Sequence, residues 1–210
     1  MRTGRPRAFC VDETLDRAMA VFWRQGYEGA SMADLTKAMG INAPSLYACF
    51  GNKEGLFKAV VDRYEARREN FMKEVTAKPT ARAVAEAFLY GVAAFIADTG
   101  GLNPPGCLML QGALSCCEQE ISDDMARRRA EKEAVLKKRF DQAKKAGDLP
   151  KSANPAVLAR YLATMANGLA VHAAAGATSQ ELREVAAVAL AAWPAGSGMA
   201  EKPRKAKVPA

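Results

Sequence analysis

Apolar residues recur along this chain at intervals of three and four almost throughout, interrupted by glycine and proline and with few β-branched runs, the pattern of an all-α protein. The first such segment, residues 13–25, sets Leu15, Ala18, Met19 and Phe22 on one face and stops at Gly26. Two much shorter helices follow. Ser31 can cap the first, with Asp34 at its positive end and Met32, Leu35 and Ala38 facing inward. Gly40 supplies the positive φ that ends it cheaply, and Ile41 plugs the angle to the next helix. That second helix opens at Asn42 or Ala43 and carries Pro44 in its first turn, where a missing amide hydrogen costs nothing. Leu46 and Phe50 face inward, while Asn42, Ala43, Ser45 and Tyr47 are left at its exposed start or outer face.

Lys53 begins a longer helix that runs toward Val75 and is densely charged over residues 62–69, the mark of a solvated helical face and here the link to a second unit beginning at Lys78-Pro79-Thr80. Five more helices follow, over residues 81–98, 106–117, 122–146, 155–174 and 179–193, with stop signals at Gly100-Gly101, Pro104-Pro105, Gly147 with Pro150, and Gly176. The last two are apolar on most sides and must be covered on most sides. Leu158, Leu162, Met165 and Leu169 on one, with Leu182, Val185 and Leu190 on the other, predict a four-helix interface with two-fold symmetry between two copies of the chain.

A helix, a glycine turn and a second short helix form the helix-turn-helix signature, whose second helix enters the major groove with its N-terminal residues against base edges. Small or hydrogen-bonding side chains are required there, and Asn42, Ala43, Pro44 and Ser45 supply them. Charge agrees: the 210 residues carry a formal net charge of +7, which suits a polyanionic partner. Arg5 and Arg7, in a basic arm of residues 1–9, match arms that lie in A·T-rich minor grooves. Residues 196–210 read as a disordered basic tail. No apolar stretch is long enough to span a bilayer, so a cytoplasmic location without membrane partners is expected.

Gly40-Ile41, Ser45-Leu46-Tyr47, Phe50, Lys53-Glu54 and Leu56-Phe57 together resemble the DNA-binding domain of TetR-family transcriptional repressors, whose pattern runs Leu-Tyr-x-His-Phe-x-x-Lys-Glu-x-Leu after the glycine turn. The match spans roughly residues 10–60 and includes Ala18, Phe22, Gly26 and Tyr27. The resemblance implies a three-helix DNA-binding domain, residues 10–56 with a linker helix to about 77, and an effector-binding and dimerisation domain over residues 78–195. It implies phosphate contacts from Tyr47 and Lys53, and a double-stranded operator, a second copy of the chain and a small-molecule effector as partners. Cys49 stands where the family has histidine, and a thiol is the poorer donor. Ser31, at the first helix start, joins these as a DNA-facing candidate.

Five cysteines, without disulfide-framework spacing and with one histidine, predict reduced thiols and no metal set or cofactor. Cys107 stands out because it opens a helix after Pro104-Pro105-Gly106, where free amides favour a thiolate. The segment Pro105-Gly106-Cys107-Leu108-Met109 resembles a Gly-Cys-Leu element in a subgroup of the family, some of which respond to electrophiles. The alternative sensor is an apolar pocket lined by Phe88, Phe95, Met109, Leu110, Met125 and Met165. No spacing of nucleophile, base or paired acids suggests an enzyme. A nonspecific architectural DNA-binding protein is the competing binder, but it has no need of the large apolar C-terminal half.

Overall fold

The computed structural model describes residues 11–97, 104–115 and 118–194. Arg5, Arg7, Cys10, Cys116, Cys117 and the tail of residues 196–210 lie outside the described residues. Those described contain helices only: Val11–Gly29 (α1), Met32–Met39 (α2), Ala43–Phe50 (α3), Lys53–Thr76 (α4), Ala81–Ala97 (α5), Leu108–Ser115 (α6), Gln119–Lys145 (α7), Pro155–Ala174 (α8) and Ser179–Ala191 (α9). The helical path of α1 is broken at Gly26, whose φ of 70° and ψ of 174° redirect the chain. Helix α7 starts earlier than periodicity suggests, because Gln119 and Glu120 extend its polar first turn ahead of Ile121.

Two apolar cores organise these helices. The first gathers α1–α4 around Met19, Phe22, Leu35, Leu46, Leu56 and Phe57, all at most 1 % exposed. The rings of Phe22, Tyr27 and Phe57 meet at centroid distances of 5.0–6.1 Å. Leu108, Met109, Ile121 and Met125 join this same core although they lie far beyond Tyr64, its last α4 member, so α6 and the start of α7 are built into the head. The second core lies among α5, α7, α8 and α9, with Phe140 and Trp193 tilted against each other at 5.2 Å.

Where the last two helices put their large residues overturns part of the expected interface. Leu162, Leu169, Leu182 and Leu190 are buried in the second core of their own protomer, and Leu158 and Met165 pack partly against it. Periodicity identified apolar faces without saying which neighbour covers them. Of the expected set only Val185 is exposed, and the outer face carries Val157, Val171 and Val188 instead.

Candidate nucleic-acid interface and the cavity behind it

Three successive caps build the reading head. Ser31 Oγ accepts the Asp34 amide at 3.0 Å and donates to Asp34 Oδ2 at 2.6 Å, fixing the start of α2. Helix α2 ends at Gly40, whose φ of 68° lets its amide reach back to the carbonyls of Thr36 and Lys37. Asn42 then caps α3, its Oδ1 accepting the Ser45 amide at 2.9 Å, and Pro44 occupies the first turn. Asn52 repeats the device at α4 by accepting the Gly55 amide at 2.7 Å.

Helix α3 is held to the head by one fully buried residue, Leu46, with Phe50 half-buried beside it. Everything else on α3 is offered outward: Asn42, Ala43, Pro44 and Cys49 are exposed, Ser45 is half-buried, and Tyr47 keeps 50 % of its surface in solvent. Lys53 sits at the adjoining corner. Its ammonium lies 4.5 Å from the centroid of the Tyr27 ring and donates to the Glu28 carbonyl at 3.4 Å, a placement the sequence could not reveal. Tyr27 in turn donates to Glu118 at 3.1 Å, tying this corner to the entry of α7.

Helix α4 is clamped on both sides. Toward the head, Arg63 donates to both carboxylate oxygens of Asp16, at 2.5 and 2.9 Å, and Arg67 reaches the same carboxylate at 2.5 Å. The Arg63 hydrogen bonds hold the Asp16 carboxyl below its ordinary range, against a burial effect that would raise it, and Arg67 adds to the lowering. Toward α7, Arg128 pairs with Asp62 and Glu65, and Lys132 with Glu65 at 2.5 Å. Burial pushes the Glu65 carboxyl up, but Lys132 and Arg128 together outweigh it and leave it below the usual carboxylate range.

Behind α4 lies a cavity of about 770 Å³, within the range of small-molecule sites, bounded by α4, α5, α6, α7 and α8. Phe88, Cys107, Met109 and Leu110 line it; Met165, Phe95 and Met125 do not. Met125 is fully buried in the head core, Met165 turns toward the second core, and Phe95 meets the Tyr64 ring edge-on at 6.1 Å. Sequence reasoning missed Arg68, Phe71, Met72 and the polar wall of α7 around Arg129: the charged stretch of α4 read as a solvated face, and nothing in the periodicity of α7 turned Arg129 toward a cavity. Cys107 reaches the wall because Gly106 adopts a φ of 105° and packs so closely on α8 that a Cβ would stand 3.2 Å from that of Ala174. The buried Tyr64 hydroxyl donates to Cys107 Sγ at 3.4 Å and accepts from Arg68 at 2.8 Å. Burial pushes the Tyr64 phenol well above its ordinary value.

Residues 15–60 match the family model described as bacterial regulatory proteins, tetR family. The HTH-type transcriptional repressor ComR of Escherichia coli K12 is 36 % identical over 199 residues, covering 91 % of this chain and 92 % of its own length. The chain belongs to the TetR family. As a TetR-family member it is a DNA-binding transcriptional regulator and not an enzyme. The repressor BdcR of the same organism is 33 % identical over 52 % of this chain and 55 % of its own length. Among solved structures, a cysteine-substituted TetR family transcriptional regulator CifR, complexed with 26-base-pair operator DNA, superposes with a TM-score of 0.84 at 37 % identity. That match covers 90 % of this chain and all of the other. Among the described residues no helix is long and apolar enough to cross a membrane, and no cluster of metal-ligating side chains occurs.

Proposed function

We propose that this TetR-family chain works in the cytoplasm as a homodimeric repressor that releases a near-palindromic operator when an effector enters the cavity behind α4. The observation that carries the reading is the construction of α3: one buried anchor, a capped start of small side chains, and an exposed Tyr47 beside the pinned Lys53. Base reading falls to Asn42, Ala43, Pro44 and Ser45; Tyr47 and Lys53 hold phosphates, with Cys49 and the α2 start at Ser31 close to the backbone. Arg5 and Arg7 extend the grip into the minor groove. Outward-facing Val157, Val171, Val185 and Val188 on α8 and α9 support a dimer, which sets two heads on one duplex about 34 Å apart.

Release follows from shared parts. Met109 belongs both to the cavity wall and to the head core, and α4 runs from Lys53 at the DNA side to the cavity-lining Thr76. An effector that fits the cavity best when α4 and α6 shift therefore favours a head spacing unsuited to successive major grooves. The Cys107 thiol on the same wall, hydrogen-bonded by Tyr64, supports a second route to release by electrophiles or oxidants.

The test is DNA retardation with the chain's own upstream intergenic DNA against scrambled DNA, near physiological salt with excess competitor. A competitor-resistant shift is expected, by roughly 10³ or more over scrambled DNA; equal weak binding to both would leave either a regulator of distant genes or the architectural alternative. Tyr47→Phe should weaken binding to every sequence, whereas Asn42→Ala should change base preference. Val188→Arg should yield a folded monomer by sedimentation, and an undiminished dimer would remove this face from the interface. Loss of electrophile response in Cys107→Ser, with DNA binding intact, is required by the thiol route.

A further inference from the structure

Charges around the cavity do not balance internally. Lys73 pairs with Glu69, Arg128 and Lys132 with Glu65, Arg160 with Glu133, and Glu131 is held by Arg127 from outside the wall. Every lining carboxylate is thus committed to a cation. Two lining guanidiniums are left without a carboxylate among the described residues. Arg68 lies 4.4 Å from the Phe95 centroid and 5.4 Å from that of Tyr64, and spends one N–H on the Tyr64 hydroxyl. Arg129 is the sharper case: its Nη1 is buried and has no hydrogen-bond partner. Buried guanidinium donors are normally satisfied, and one turned to a cavity wall without an acceptor marks the place of an acceptor brought by something else. Elsewhere the wall is mainly apolar, built from Phe71, Met72, Phe88, Val92, Ile96 and Leu136, with Thr76, Thr164 and Asn167 as neutral polar positions.

We infer that the effector is an amphipathic organic anion, a carboxylate on an apolar chain, whose head meets Arg129 with Arg68 as second cation and whose tail lies along α5. This rests on the repressor reading above and names the chemistry of its effector. A cationic ligand would find each carboxylate already paired, and a bare inorganic anion would leave the apolar wall uncovered. Arginine suits the task because its planar fork binds a carboxylate through two parallel hydrogen bonds.

Decanoate and 1-decanol share the tail and differ in the head, so titration calorimetry of the full chain with each, alongside retardation of the upstream DNA, tests the proposal. Decanoate should bind and release the DNA, with decanol weaker by about tenfold or more. Arg129→Gln should remove that difference while keeping DNA retardation, and Arg129→Lys should restore part of it. Raising the salt should weaken decanoate and leave decanol unchanged, a readout on the unaltered chain that serves if Arg129→Gln does not fold. Equal affinity for acid and alcohol, or binding of neither while the DNA shift persists, would overturn the anion proposal alone. Decanoate binding by a chain that never retards DNA would leave this inference standing and sink the repressor reading.

Discussion

The two cores of this molecule differ in what lies beside them. Around the reading head the side chains close on one another, with Phe22, Phe57, Met19 and Leu46 almost fully buried and aromatic rings edge to face. The second core instead borders about 770 Å³ of open space walled by methionine, phenylalanine and arginine. Dense packing fixes one geometry, which a surface that must match base edges requires. A hollow leaves apolar surface whose burial is completed only by a guest, which lets a guest choose between conformations. On the proposed reading, precision and sensitivity would be kept in different parts of one fold and joined where α6 belongs to both.

The largest expected effect of disturbing the dense side is at Leu46. Leu46→Ala removes the one fully buried anchor of α3 and should cost about 2–5 kcal/mol in urea unfolding, with loss of specific DNA retardation. An unchanged unfolding midpoint would show that α3 is held by something other than packing. Gly55→Ala comes next. A Cβ there would stand 2.1 Å from the Phe50 carbonyl oxygen, so the α3–α4 corner must shift, at about 1–3 kcal/mol and with weakened DNA binding.

Asp16→Asn addresses the clamp between α1 and α4, and should cost about 1–2 kcal/mol near neutral pH. Because its folded-state carboxyl is held below the ordinary value, the stabilisation is present above about pH 4 and is lost as pH falls through the lowered folded value. Acid unfolding of the substituted chain should therefore lose part of its steepness below about pH 4, and an identical acid limb would refute the clamp. The smallest effect is expected on the hollow side. Ala166→Leu places carbon in the cavity wall and should change stability by no more than about 1 kcal/mol while abolishing effector-induced release. A marked loss of stability would mean that the space is already filled by packing.

What the sequence could show divides along the same line. Ser31, Gly40, Asn42 and Pro44 act through backbone amides within a few residues, so their residue types alone locate both ends of α2 and the start of α3. Apolar periodicity likewise found α5, α8 and α9, but it is silent about which neighbour covers a face. That is why Leu162, Leu169, Leu182 and Leu190 read as interface when they are core, and why Met125 read as pocket when it belongs to the head. Long-range fits leave still less trace. Nothing near Gly55 announces the Phe50 carbonyl above it, nor does Gly91 announce the Phe71 ring that a Cβ would strike at 2.3 Å. Arg129 is one of three consecutive arginines, and only folding separates it from the paired Arg127 and Arg128.

Helix α4 has 24 residues, which makes it a rod about 36 Å long. It carries Lys53 at one tip and cavity-lining Thr76 at the other. By simple trigonometry, a tilt of about 5° pivoting near the cavity sweeps the Lys53 tip through about 3 Å, close to one base-pair rise of the duplex. At that amplitude the proposed Lys53 hydrogen bond to phosphate would be broken, with α1–α3 carried along on α4 and the slip taken up against α6 and α7. On the proposed mechanism a guest would not need to loosen the reading surface, because leverage along α4 would supply the displacement.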